Sequence, residues 1–299
     1  MHAEKHKAEK KKRTKKQVVL QIISIVLIIA AGIGAGAYCG MLYLSSKIPK
    51  VNYNAFAEDE LLPNISEILE RNQGVPISQV SAVDAFVIAK YNTENSDMYI
   101  ATAQNTLTHN FGKQSVYTYR HKYNGSILIK EISSSSMKSY AKMLKCDGAK
   151  VLAYNGTAKT ESTAEWANNY SSYTIDEYKE EFGTNPLEIV SYIVSVKTLS
   201  ETYTPKSGVK LANGNYQFTL SLNTQNSVIN YVKQIKANSG IASYPTFLQL
   251  DIVFEVDQNF RLASLTSIES YTFSYSGIAV TCSGQLTTNF DYTTTPTEV

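Results

Sequence analysis

Alternation of apolar and polar residues in the last third of the chain is the feature that most constrains its fold. The pattern recurs over residues 216–223, 248–256, 260–273 and 278–290. Successive side chains of a strand point to opposite faces, so a two-residue period predicts strands with one buried and one wet face. Such strands predict an antiparallel sheet whose apolar face is covered by helices. Loss of phase near 263–265 predicts a bulge.

Turn signals extend this sheet toward the N-terminus. Residues 98–109 and 115–132 have strand character, and Asn124-Gly125 in the second stretch is typical of a two-residue hairpin. Asn155-Gly156 predicts another turn after a strand over 149–154. Residues 133–148 fit no single pattern.

Capping signals predict helices between the strands. Ser81 with Asp84 and Thr174 with Glu177 have the spacing of capping boxes, and Gly183 is a suitable C-terminal cap. The predicted helices cover 64–72, 81–92, 175–182, a segment from Asn185-Pro186 through Val196, and 225–238.

A run of 27 residues without charge, 18–44, predicts a membrane-spanning helix that acts as a signal anchor. Residues 1–17 before it carry eight Lys and Arg and two Glu, and only Lys47 and Lys50 follow closely. This asymmetry places the N-terminus in the cytoplasm and residues 46–299 outside. Ala35-Gly36-Ala37 leaves cleavage after Ala37 open, and Cys39 leaves lipidation open.

The predicted span also contains a stripe of small residues. Gly32, Gly36 and Gly40 recur every fourth position, which allows close approach of two helices in lipid. The stripe therefore predicts self-association of two chains through this face of the helix.

Five regions follow from these patterns: a basic cytoplasmic tail (1–17), a signal anchor (18–44), a connector with a short helix (45–77), an extracytoplasmic domain (78–292) and a tail (293–299). The predicted fold class is α+β, an N-terminal transmembrane helix followed by a curved antiparallel sheet packed on helices. Outside the basic tail the chain holds 20 basic and 24 acidic residues. Such a body excludes a nucleic-acid partner, because phosphate binding needs clustered basic residues.

The order of elements resembles the LolA-like lipoprotein-carrier half-barrels. The residues that carry the likeness are helix 81–92, the Asn124-Gly125 hairpin and the closing meander 246–291, and the likeness covers about 78–292. The resemblance implies a curved sheet around helices, with lipid or another apolar molecule bound between them. A cystatin-like curved sheet would give a similar pattern. The predicted anchor departs from the soluble carriers.

The sequence contains no signature of catalysis: HExxH, GxSxG, P-loop and GxGxxG motifs are absent. Val280-Thr281-Cys282 is similar to the cysteine motif of sortases, but no Arg follows it, and the nearest upstream His is His121. Cys282 also lies on the apolar phase of its strand, which predicts a buried thiol; a disulfide with Cys146 is the alternative. We therefore expect no enzyme activity, no metal and no cofactor.

The leading functional expectation is a membrane-anchored protein that binds an apolar ligand, such as lipid, outside the cytoplasm. The candidate ligand-binding residues share the inward strand phases: Leu250, Ile252, Phe254, Tyr271, Phe273, Ile278 and Val280. The alternative is a cell-envelope interaction or sensor module with a filled core. Its binding face would be rich in tyrosine, because tyrosine rings on a sheet can bind partners.

Overall fold

The computed structural model describes residues 51–53, 57–135, 139–275 and 277–296. Within them lies one antiparallel sheet of eleven strands. The strands are β1 (Met98–His109), β2 (Gly112–Tyr123), β3 (Ser126–Ser135), β4 (Tyr140–Cys146), β5 (Lys150–Ala158), β6 (Ala164–Thr174), β7 (Val209–Lys210), β8 (Tyr216–Ser221), β9 (Thr246–Val256), β10 (Leu262–Tyr275) and β11 (Ile278–Asp291).

The spatial order is β6-β5-β4-β3-β2-β1-β11-β10-β9-β8-β7. The chain therefore builds two meanders, β1–β6 and β7–β11, which grow in opposite directions from the pairing of β1 with β11. Ala103, for example, lies opposite Thr288 in this central pair. Neighbouring strands are consecutive everywhere except at this pair, so simple hairpin connections account for most of the sheet.

The described α-helices that contact the sheet lie on one of its faces, here called the inner face. The described α-helices are α1 (Glu58–Leu61), α2 (Ile65–Arg71), α3 (Ala82–Glu94), α4 (Ile175–Phe182) and α5 (Ile229–Ser239). The capping box of Thr174 and Glu177 is confirmed at the start of α4. Gly183 ends α4 with a φ of 69°, a left-handed conformation in which glycine carries no steric cost.

The predicted α+β class is wrong, because the sheet dominates the fold. Strands hold 46% of the described residues and helices 21%. Three strands that the sequence did not predict, β4, β6 and β7, enlarge the sheet. The helix predicted from Asn185 through Val196 does not form apart from a 3₁₀ turn at Val196–Thr198. The predicted membrane span and its Gly32, Gly36 and Gly40 lie outside the described residues. Among the described residues, no helix is long and apolar enough to cross a bilayer.

The predicted hairpin at Asn124-Gly125 is confirmed. Both residues have positive φ, 49° and 79°, and join β2 to β3. The second predicted turn, at Asn155-Gly156, is wrong, because both residues lie inside β5. Gly156 has a packing reason instead: a Cβ there would lie 2.7 Å from the Trp166 ring.

Two register shifts set which side chains face inward near the end of the sheet. The predicted bulge is confirmed between Leu262 and Ser264. A second shift leaves Leu248 unpaired between Phe247 and Gln249. As a result Phe247 is buried, and Leu248, which the sequence pattern placed inward, is 53% exposed.

Most buried apolar side chains of the described residues belong to two clusters. The larger one packs α3 against β8–β11, where the rings of Phe86 and Phe254 meet edge to face at 5.2 Å. The smaller one gathers Val151, Cys146 and neighbouring side chains around Tyr178 of α4. The space between these clusters holds the candidate site.

Candidate functional site

The inner face of the sheet changes from apolar to polar in its middle strands. Pairing across β1, β2, β3 and β4 places Ala103, Thr118, Glu131 and Lys142 in one row. A polar side chain on an inward phase has to find a partner or a cavity, because burial without either is costly. The inward polar residues of the middle strands include Asn105, Gln114, Thr118, Arg120, Glu131, Lys142, Ser267 and Glu269.

A cavity of about 320 Å³ lies over these residues. Its floor is the inner face of β1–β4, β10 and β11, and its roof is α5 together with the irregular segment 184–192. Apolar side chains line much of it, including Leu107, Val116, Ile129, Ile235, Leu265 and Leu286. The cavity therefore combines apolar walls with a few buried polar groups, the usual composition of a small-molecule site.

Helix α5 is held over the cavity by hydrogen bonds as well as by apolar packing. The Tyr231 hydroxyl lies 3.0 Å from a Glu269 oxygen, and the Asn238 amide donates to both oxygens of Glu131 at 3.3 Å. Tyr231 and Asn238 are seven residues apart, two turns along one face of the helix. Between them, Gln234 accepts a 2.7 Å bond from Ser191. Hydrogen bonds to two carboxylates, Glu131 and Glu269, therefore connect the roof to the sheet.

The two carboxylates differ in how well they are satisfied. Glu131 accepts from Asn238 and from the Tyr140 hydroxyl. Glu269 is 2% exposed and accepts only from Tyr231 among the described residues. Burial raises the pKa of Glu269 to about 7, and the Tyr231 hydrogen bond opposes this rise. Glu269 is therefore the less stabilised anion of the pair.

Two cations also line the cavity. The Lys142 ammonium lies 3.8 Å from the centre of the Phe182 ring and 5.0 Å from that of Tyr178. Burial lowers the pKa of Lys142 to about 8, so it still carries most of its charge at neutral pH. The ring faces provide cation–π contacts for this charge.

The second cation, Arg120, has a structural role in the roof of the cavity. Its Nε donates to the Tyr99 hydroxyl at 2.7 Å, and its Nη atoms donate to the carbonyls of Pro186, Leu187 and Glu188 at 2.8–3.0 Å. One guanidinium thereby fixes three consecutive carbonyls that no helix satisfies. These bonds explain how residues 186–188 remain ordered without regular secondary structure.

The predicted ligand-binding residues fall into three groups. Leu250, Ile252 and Phe254 are almost fully buried in the larger apolar cluster and do not line this cavity. Tyr271 and Phe273 line the cavity. Val280 lines a smaller neighbouring cavity of about 50 Å³, and Ile278 is half-buried at the start of β11. Ligand binding by these residues remains a prediction.

The polar residues of the cavity were not predicted from the sequence. Glu269 shares a strand phase with Tyr271 and Phe273, so a charged residue among inward aromatic ones was the available signal. For Glu131 no comparable signal existed, since residues 133–148 and therefore the partner strand β4 were unassigned. Among the described residues, no three His, Cys, Asp or Glu side chains form a group that could hold a metal ion.

Both cysteines of the described region are free and buried. The predicted inward orientation of Cys282 is confirmed by an exposed fraction of 2%, and the alternative disulfide with Cys146 is absent. Burial raises the pKa of each thiol to about 11. At neutral pH both are therefore protonated and poor nucleophiles.

We expect both thiols to resist a water-soluble maleimide in the folded protein, because the reagent needs an accessible thiolate. The measurement is intact-mass analysis of the full-length Cys39→Ser chain over time, before and after guanidinium unfolding. Two labels should appear only after unfolding. Labelling of Cys282 in the folded chain at the rate of free glutathione would contradict this expectation.

No family model matches the chain, and no curated protein is similar enough to be matched to it. The function is therefore inferred from the residues of the cavity.

Proposed function

We propose that the protein binds an apolar ligand of the lipid class in the cavity beneath α5, without catalysing a reaction. The observation that carries the proposal is the cavity itself, of about 320 Å³, which lies between the sheet and its helical roof. This volume is at the lower end of the range for small-molecule sites. It suits a single short acyl chain or a molecule of similar size.

The proposal includes a location at the outer face of the cell membrane. Its basis is the charge-free run 18–44 behind the basic residues 1–17. Membrane lipids would then surround the protein and could supply the ligand. The resemblance to LolA-like carriers belongs to the same proposal and adds the expectation of binding between sheet and helices.

The alternative is a cell-envelope interaction or sensor module, and one observation favours it. Strand β6 is an edge of the sheet, and Glu165 is its only charged residue. Edge strands of natural proteins usually carry charges that prevent pairing with another chain. Tyr170, in the middle of β6, is 55% exposed and would face such a partner.

Filling the cavity tests the leading proposal. Ala103 is buried on the inner face and lines the cavity, whereas the adjacent Thr102 is exposed on the other face. In the full-length chain we expect Ala103→Phe to weaken binding of 1-decanol at least about tenfold, because the ring occupies the ligand's space. Isothermal titration calorimetry measures the affinity, and native mass spectrometry detects any lipid that purifies with the chain.

Thr102→Phe is the matched control and should bind decanol like the wild type. If Ala103→Phe does not fold, Thr118→Leu on the paired strand provides the same test. Absence of decanol binding by the folded wild type, or equal binding by folded Ala103→Phe, would overturn the proposal. The cell-envelope interaction or sensor module would then be the better-supported function.

A further inference from the structure

Glu269 lines the cavity and has hydrogen-bond acceptor positions that no donor of the described residues fills. The two oxygens of Glu269 lie 3.0 and 3.3 Å from the same donor, the Tyr231 hydroxyl, which has one proton to give. A carboxylate offers about four acceptor positions, so most of them are unfilled. No other hydrogen bond or ion pair reaches Glu269 within the described part of the chain. A nearly fully buried carboxyl group in this state is unusual, because native proteins pair such groups.

We propose that the cavity selects amphiphiles with a primary ammonium head, and that Glu269 binds this head. The inference rests on the proposed function of the same cavity. A primary ammonium supplies three N–H donors and a positive charge, which fill the free acceptor positions of Glu269. The apolar tail then lies along Ile235 of the roof and Leu265 and Leu286 of the floor, which line the same cavity.

Among the charged groups of the cavity, Glu269 is the one best able to bind an ammonium head. Arg120 already donates to Tyr99 and three carbonyls, and Glu131 already accepts from Tyr140 and Asn238. Lys142 is the one lining cation not held by hydrogen bonds in the described structure, and its charge lies against two aromatic rings. A carboxylate or phosphate head at Glu269 would meet a like charge in a low dielectric, which is unfavourable.

Binding of an ammonium should strengthen with pH, since it requires ionised Glu269. The pKa of this carboxyl is raised to about 7 by burial, so the ionised fraction increases between about pH 6 and pH 8. The groups that face it are Tyr192, Tyr231, Tyr271 and Cys282, and the pKa of each is raised, so all remain neutral over this range. An alkylammonium stays protonated there as well, like a lysine side chain.

The test compares three probes of equal chain length, decylamine, 1-decanol and decanoate, by calorimetry on the full-length chain. We expect decylamine to bind at least about tenfold more tightly than decanol, and more tightly than decanoate. Glu269→Gln should abolish the preference for the amine and retain decanol binding. Glu255→Gln, the same change on β9, is the matched control and should retain the preference.

The outcomes separate this inference from the proposed function. Failure of all three probes to bind overturns both. Decanol binding with no preference for the amine, with decanoate binding tighter than amine binding, or with a preference that survives Glu269→Gln, overturns the inference alone. If Glu269→Gln does not fold, the wild type decides: amine affinity must increase from about pH 6 to pH 7, where Glu269 ionises and Lys142 keeps its charge, while decanol affinity stays constant.

Discussion

Replacing Ile252 with Asp should prevent the domain from folding. Ile252 has no exposed surface and packs in the larger apolar cluster beneath α3, away from the cavity. Loss of the side chain alone costs about 2–5 kcal/mol, and a carboxyl group without a partner adds several more. The sum is comparable with the whole stability of a typical domain. Circular dichroism and thermal unfolding of the variant measure the effect.

Leu248→Asp is the matched control on the same strand. The register shift leaves Leu248 unpaired and 53% exposed, so the new carboxylate stays hydrated. We expect a change of no more than about 0.5 kcal/mol in the free energy of unfolding. A folded Ile252→Asp variant with near wild-type stability would mean that water reaches Ile252, and the cavity would then extend beneath α3.

Replacing Arg120 with Met should lower the free energy of unfolding by about 3 kcal/mol and loosen the roof of the cavity. The change removes four hydrogen bonds and leaves three carbonyls of residues 186–188 without their donor. Arg120 is 7% exposed, so water cannot simply take its place. Urea unfolding measures the stability, and hydrogen exchange of residues 187–193 measures the loosening.

Two further variants define the role of the guanidinium. Arg120→Lys should restore little, because an ammonium cannot reach Tyr99 and three carbonyls in one fork-shaped arrangement. Lys113→Met removes an exposed cation from the same strand and should leave both measurements unchanged. Unchanged exchange in Arg120→Met would show that segment 184–192 is held by other contacts, such as the bond from Ser191 to Gln234.

Part of the fold could be predicted from interactions between residues that are close together in the sequence. The Asn124-Gly125 hairpin forms because both positions need positive φ, which these two residues adopt at little cost. The capping box of Thr174 and Glu177 satisfies helix donors within four residues, so it needs no distant partner. The strand phases of β9 from Leu250 onward, β10 and β11 were predictable as well, because alternation records which face of a strand is buried.

Other features had no local cause that the sequence could reveal. Asn155-Gly156 has the signature of a turn, yet Gly156 is required by the ring of Trp166 on the neighbouring strand. The stretch from Asn185 has helix signals, yet its carbonyls are bound by Arg120, more than 60 residues earlier in the chain. In both places a distant side chain outweighed the local preference.

The sequence by itself determined that the chain forms antiparallel strands with one apolar face, because a two-residue period has only that physical solution. It could not determine how many strands join, since β4 and β6 gain stability from their neighbours rather than from their own pattern. Only the tertiary structure decided that Glu269, from the C-terminal meander, and Glu131, from the N-terminal one, share a cavity. The pairing of β1 with β11 and the packing of α5 bring them together, and both depend on contacts between residues far apart in the sequence.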